Sequence, residues 1–186
     1  MTTTEIRNTI TTWSNWASDP HIQRYDIALL KIWIQFERFI SELIITYSTG
    51  HSSEKGYLPT LKIQFQDEEQ FNAFMREGNK KYVEYLSKIE KLSKHIFVND
   101  PFDVIFLDVT NKNAYEQLKA LRNYIAHESG EAKLKLINLC FSGNTNNFLE
   151  PNDFLITREQ STRNTYYTYY ITFIQNIVDL LVDPPA

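Results

Sequence analysis

Apolar residues recur at steps of three and four positions along most of this chain, which is the spacing that places side chains on one face of an α-helix. The clearest example is the segment 22–47, whose apolar positions are Tyr25, Leu29, Ile32, Phe36, Phe39, Leu43 and Thr46 or Tyr47. Because the pattern continues for about seven turns, it predicts one long helix that packs lengthwise against other helices.

Shorter stretches of the same spacing predict further helices, at residues 3–17, 67–78, 80–94 and 158–182. Trp13 and Trp16 lie three residues apart, and we expect this pair to dock the first helix on the core. The segment 112–140 is also helical in character. Ser129-Gly130 interrupts it, which leaves both a single irregular helix and two separate helices open.

Four other segments do not show the helical spacing. Residues 61–65 alternate apolar and polar side chains, which indicates a short strand or an extended segment. Residues 101–109 are a compact apolar stretch of ambiguous type. Residues 48–59 and 142–153 are rich in polar residues and glycine and are predicted to be loops.

The order of these elements predicts the fold class. No internal repeat or linker separates them, so the sequence predicts an all-α, single-domain helical bundle with a long opening helix and irregular loops. The expected domain spans residues 1–186. Its core is placed at about 22–182, and residues 1–20 are expected to form an N-terminal extension helix.

Composition and charge restrict the class of protein. Only five glycines and six prolines occur in 186 residues, which argues against many-stranded and glycine-rich nucleotide-binding folds. A net charge of −4 disfavours a protein that coats nucleic acid by bulk electrostatics. Cys140 is the single cysteine and is expected to be a buried structural thiol. With no visible secretory signal or membrane-spanning run, the expected protein is soluble and cytoplasmic.

Most catalytic patterns are missing from the sequence. There is no glycine-rich phosphate loop and no dinucleotide-binding motif. The four histidines are widely separated, at positions 21, 51, 95 and 127. We therefore predict no metal site and no cofactor.

The segment 120–133 carries the best candidate chemistry. Arg122 and His127 are five residues apart, so an ideal helix places their side chains ~140° apart around its axis. A site that uses both needs a helix distortion, a nearby helix end or a second copy of the chain. Arginine donates paired hydrogen bonds to phosphate oxygens, and histidine exchanges protons near neutral pH. RNA supplies its own nucleophile, the 2′-hydroxyl. The alternative is a solvated Arg122 and a His127 bonded to a local carbonyl.

The string LRNYIAH at residues 121–127 resembles the arginine–histidine motif of the HEPN superfamily, whose members are helical RNA-acting or nucleotide-binding domains. The string WIQFERF at 33–39 and the tyrosine-rich last helix are similar to the RiboL-PSP-like branch, so the resemblance covers about residues 22–182. It implies a metal-independent endoribonuclease that acts as a homodimer without a cofactor. His127 would be the general acid and base, Arg122 would bind the scissile phosphate, and Asn123 would orient the substrate.

The resemblance also implies partners and leaves other functions open. RNA is the implied substrate, in a toxin or antiphage-defence effector that an antitoxin or sensor protein restrains. A HEPN-fold module that binds nucleotide, RNA or protein without cleavage is one alternative. An unrelated helical adaptor protein is another.

Three weaker candidates accompany the motif. Glu37 is placed to reach Arg122 from the long helix, either as a surface ion pair or as part of the site. The tyrosines of the last helix are candidates either for base stacking or for the core and a dimer surface, namely Tyr166, Tyr167, Tyr169 and Tyr170. Five lysines are candidates either for contacts with the phosphate backbone of RNA or for a solvated helix face, namely Lys80, Lys81, Lys88, Lys91 and Lys94.

Overall fold

The computed structural model describes residues 2–75, 85–160 and 162–184. Within these ranges the backbone forms nine α-helices and one short 3-10 helix, with two isolated bridges and no β-strand. The helices are α1 (Thr3–Ser18), α2 (Tyr25–Ser48), α3 (Glu68–Met75), α4 (Tyr85–Ile96), α5 (Asp103–Phe106), α6 (Val109–His127), α7 (Gly130–Cys140), α8 (Pro151–Ile156) and α9 (Tyr166–Val182). The predicted all-α, single-domain bundle is confirmed. The predicted end of 67–78 and the first residues of 80–94 lie outside the described residues.

Helix α2 is the centre of the bundle and contacts α1, α3, α4, α6, α8 and α9. Its predicted apolar face is buried, apart from Tyr25 and Thr46 at the two ends, which are half-buried. The buried surface is wider than the predicted stripe, because Trp33, Ile40 and Ile44 are also inside. A helix that is surrounded by neighbours needs apolar residues on most of its circumference.

Helix α1 begins at a capping box formed by Thr2 and Glu5. Trp13 and Trp16 contact each other, with ring centroids 5.3 Å apart, but both are only half-buried. The half-buried Trp13 and Trp16 pack against the core that includes α2, as expected, and Ile6 and Ile10 of the same helix are buried in that core.

The segments of ambiguous type have irregular structures. Residues 61–65 form no strand: the chain bends at residues 62 and 63, and a single antiparallel bridge joins Leu61 to Phe97. The apolar stretch 101–109 contains the four-residue helix α5 and the start of α6, which Asp108 caps by accepting a hydrogen bond from Asn111. The predicted loop 142–153 contains the 3-10 helix Thr145–Asn147 and the start of α8.

The last helix begins eight residues later than predicted. Thr165 caps it by accepting a hydrogen bond from the backbone amide of Thr168 at 3.2 Å. An isolated bridge between Arg158 and Thr165 holds the preceding residues outside the helix. A hydroxyl cap competes with helix continuation, which apolar spacing alone does not indicate.

The segment 112–140 consists of two helices that are joined at the residues flagged by the sequence. Glu128 adopts a left-handed conformation with φ of +46°, which ends α6 directly after His127. Ser129 then caps α7 by accepting a hydrogen bond from the backbone amide of Ala132 at 3.2 Å. Of the two alternatives, the pair of separate helices is correct, and their junction lies beside the candidate site.

Candidate functional site

Arg122, Asn123 and His127 all lie on α6, which is a regular helix up to its last residue, His127. No distortion brings the arginine and the histidine together. Arg122 faces α2, where its Nη2 lies 3.6 Å from Oε2 of Glu37. His127 faces the neighbouring helix α7. The two side chains therefore diverge around the helix axis, as the rotation of an ideal helix requires.

The guanidinium of Arg122 is held on two sides. Its Nη1 donates a hydrogen bond to Oδ1 of Asn123 at 3.0 Å, and Nη2 lies near Glu37. The side chains of Arg122 and Glu37 are each 32% exposed, so solvent screens their ion pair. Nε of Arg122 is buried, and no group among the described residues accepts its hydrogen. The sequence-based expectation that Glu37 reaches Arg122 is met as a contact, and its role in a site stays a prediction.

A surface groove of about 310 Å³ separates α6 from the first turns of α7. Seven residues line it: Ala120, Asn123, His127, Ser129, Glu131, Ala132 and Lys135. Asn123 and His127 are four residues apart on α6 and share this face. Arg122 is not in the lining. The structure thus brings Asn123 and His127 into one groove, and a hydrogen bond connects Arg122 to Asn123.

His127 is exposed at the carboxyl end of α6. An exposed imidazole is accessible to a substrate from solution. The location therefore suits a group that takes up and releases protons.

The α7 side of the groove was not found from the sequence. Ser129, Glu131 and Lys135 line the groove, but they follow the helix junction, where spacing along α6 no longer predicts which side chains meet. The one available signal is the four-residue step from Glu131 to Lys135, which places both on one face of α7. That signal becomes useful only after the direction of α7 is known.

Aromatic contacts fix α7 and the loop after it relative to α6. The ring of Phe148 packs edge-on against Tyr124, with centroids 5.9 Å apart. Nζ of Lys133 lies 4.1 Å from the centroid of Phe148 and 3.9 Å from a carboxylate oxygen of Glu150. These contacts join α6, α7 and the loop next to the groove.

The tyrosines of the last helix lie mainly in the core. Tyr167 and Tyr170 are buried, and the hydroxyl of Tyr170 donates a hydrogen bond to Oε1 of Gln117 at 3.1 Å. The half-buried Tyr166 stacks on Phe154, with ring centroids 4.3 Å apart. Tyr167 and Tyr170 are therefore core residues, and the stacking on Phe154 covers one face of the Tyr166 ring.

The lysine set does not form one face. Lys88 is buried and donates a hydrogen bond to the backbone carbonyl of Met75. Lys91 and Lys94 are exposed, whereas residues 80 and 81 lie outside the described residues. Neither alternative from the sequence describes Lys88, which links α4 to the end of α3.

Cys140 is half-buried, and burial raises the pKa of its thiol to about 12, although a hydrogen bond with Tyr170 offsets part of that effect. The thiol is therefore protonated at neutral pH and is a weak nucleophile. We expect iodoacetamide to alkylate Cys140 at least about tenfold more slowly in the native protein than in urea at the same pH. Mass spectrometry of time points measures both rates, and equal rates would contradict the protonated thiol.

No cluster of three or more histidine, cysteine, aspartate or glutamate side chains within the described ranges has the arrangement of a metal site. Among the helices of the described residues, none is long and apolar enough to cross a membrane. No known family model, curated protein or solved structure matches this chain.

Proposed function

We propose that this protein is a metal-independent endoribonuclease of the HEPN type. The observation that supports the proposal best is the open groove that contains His127 and Asn123, with Arg122 hydrogen-bonded to Asn123 beside it. An imidazole can transfer protons, and an amide and a guanidinium can donate hydrogen bonds to phosphate oxygens, so these groups are suited to phosphodiester cleavage without a metal.

In the proposed reaction, the imidazole of His127 accepts the proton of a ribose 2′-hydroxyl. The 2′-oxygen then attacks the adjacent phosphorus, and the bond from phosphorus to the 5′-oxygen breaks. The products are a 2′,3′-cyclic phosphate and a 5′-hydroxyl end, which receives a proton from an imidazolium. Since RNA provides the nucleophile, no covalent enzyme intermediate is needed.

The proposed active unit is a homodimer. Within one copy, Arg122 faces α2 and is outside the groove of His127. A second copy of the chain supplies Arg122 and a second His127 to the groove, so one imidazole acts as base and the other as acid. The arginine stabilises the negative charge that develops on the phosphate oxygens.

The cellular role that we propose is a cytoplasmic toxin or antiphage-defence effector, which an antitoxin or sensor protein restrains. The net charge of −4 fits restraint, because an acidic surface gives weak non-specific affinity for RNA. Recognition then depends on the local charge in the groove.

RNA cleavage in the presence of EDTA tests the proposal. We expect the full chain to cut RNA without a metal and to leave cyclic phosphate ends, which mass spectrometry of the products identifies. Arg122→Ala is expected to reduce the rate by about 10²–10³-fold, because it removes a transition-state donor. Arg38→Ala is the matched control, since Arg38 lies exposed on α2 and pairs only with Glu42 among the described residues. Cleavage that is lost in EDTA and is unchanged by Arg122→Ala would contradict the proposal.

A second candidate function is a module of the same fold that binds RNA, nucleotide or protein without cleavage. The ion pair of Arg122 with Glu37 of the same chain favours this function. Because the carboxylate balances part of the charge of Arg122, the arginine stabilises the negative charge of a transition state less well. This function predicts RNA binding, or binding of a protein partner, with no cleavage products from any RNA.

A further inference from the structure

The groove between α6 and α7 carries one permanent positive charge. Of its lining residues, Lys135 is cationic and Glu131 is anionic, and the imidazole of His127 lies beside them. Arg122, the cation that the sequence singles out, is outside this lining. In a single copy of the chain, the cation that shares a groove with His127 is therefore Lys135.

The ammonium group of Lys135 is exposed, and no hydrogen bond or ion pair with any other described residue engages it. This is unexpected from the sequence, since a glutamate four residues before a lysine is the favourable order for an ion pair on a helix. Glu131 and Lys135 nevertheless both open into the groove without pairing. The position of Lys135 is thus not explained by a hydrogen bond or ion pair with any other residue that the structure describes.

The other lysine of the same turn provides a comparison. Lys133 lies over the ring of Phe148 and within 3.9 Å of Glu150, so it joins α7 to the following loop. Lys133 and Lys135 are only two positions apart in the sequence, but they have different surroundings. Lys133 makes structural contacts, whereas Lys135 is available to a ligand.

Asn123 adds a polar group opposite Lys135. Its Oδ1 already accepts a hydrogen bond from Arg122, which leaves the Nδ2 amide as a donor. A lysine, an amide donor and an imidazole around one open groove match the acceptors of a phosphodiester. Lysine acts there as a point charge that tolerates different phosphate orientations.

We propose that Lys135 binds a backbone phosphate of single-stranded RNA in the α6–α7 groove, next to the nucleotide on which His127 acts. The assignment rests on the proposed function for the role of His127, but the binding step does not require cleavage. Glu131 lies in the same lining and opposes the phosphate. We therefore expect the replacement of Lys135 to weaken RNA binding and the replacement of Glu131, one helical turn earlier, to strengthen it.

Binding of a short fluorescein-labelled single-stranded RNA, measured by anisotropy in His127→Ala protein, tests the assignment without cleavage. Lys135→Gln should weaken binding roughly fivefold to tenfold and reduce the slope of log K against log salt by about 0.7, the value for one phosphate on a single strand. Glu131→Gln should tighten binding roughly twofold to threefold, because it removes a like charge from the phosphate site. Lys55→Gln in the loop after α2 is the matched control, since it makes the same change in net charge at an exposed lysine outside the groove.

The outcomes separate this assignment from the proposed function. Equal salt slopes for the Lys135 and Lys55 variants, or no RNA binding at about 50 mM salt, would overturn the role of Lys135. Cleavage that needs His127 but is unchanged by Lys135→Gln would overturn it as well and leave the proposed function standing. RNA binding that depends on Lys135, with no cleavage by the unmodified protein, would overturn only the proposed function.

Discussion

Replacing His127 with alanine is expected to reduce the rate of RNA cleavage by about 10²–10⁴-fold, which is the contribution of a positioned general acid or base. His127 is exposed and has no hydrogen-bond partner among the described residues, so its loss removes proton transfer without removing packing. The rate is measured on a fluorogenic RNA in EDTA. Circular dichroism of the variant should match that of the parent.

His95→Ala is the control for this experiment. His95 is likewise an exposed histidine in the last turn of a helix, but it belongs to α4 and does not line the groove. Its replacement should leave cleavage unchanged. If expression of the protein arrests growth, only the His127 variant should relieve the arrest. Equal activity of the two variants would remove His127 from the proposed mechanism.

Replacing Ile32 with alanine is expected to reduce the free energy of unfolding by about 2–5 kcal/mol. Ile32 is completely buried on α2, the helix that most other helices contact, so truncation leaves a cavity where several elements meet. The lost transfer free energy and the cavity both destabilise the native state. Urea unfolding followed by circular dichroism measures the change through the shift in midpoint.

Ile34→Ala is the matched variant, because Ile34 lies two residues further along the same helix and is 47% exposed. The same chemical change there should alter the free energy of unfolding by less than about 0.5 kcal/mol. A similar loss at both positions would mean that α2 does not present the buried face found in the structure.

The periodic spacing predicted α2 to within a few residues, because a long helix in a bundle must repeat its apolar positions to remain in contact with its neighbours. The same reasoning misplaced the start of α9, which depends on one hydroxyl cap at Thr165. It also missed the short helix α8, since six residues hold too few turns to show a period. Spacing is therefore informative for long elements and weak for their ends.

The net charge of the chain is also only partly informative about whether and where RNA could bind. A total of −4 disfavours a broad basic surface, and the lining of the groove contains both a lysine, Lys135, and a glutamate, Glu131. The total does not show how these charges are placed. Because screening limits exposed charges to a range of about 10 Å, the residues that line a groove matter more than the sum over the chain.

The divergence of Arg122 and His127 followed from sequence alone, since five residues of any regular helix place two side chains on different faces. The break between α6 and α7 was also visible, as Ser129-Gly130. The neighbours of each face were decided by the tertiary structure. Glu37 reaches Arg122 only because α2 packs on α6, and Lys135 joins His127 only because Glu128 turns the chain and Phe148 holds it there. Such contacts depend on the angle between helices, which local spacing does not determine.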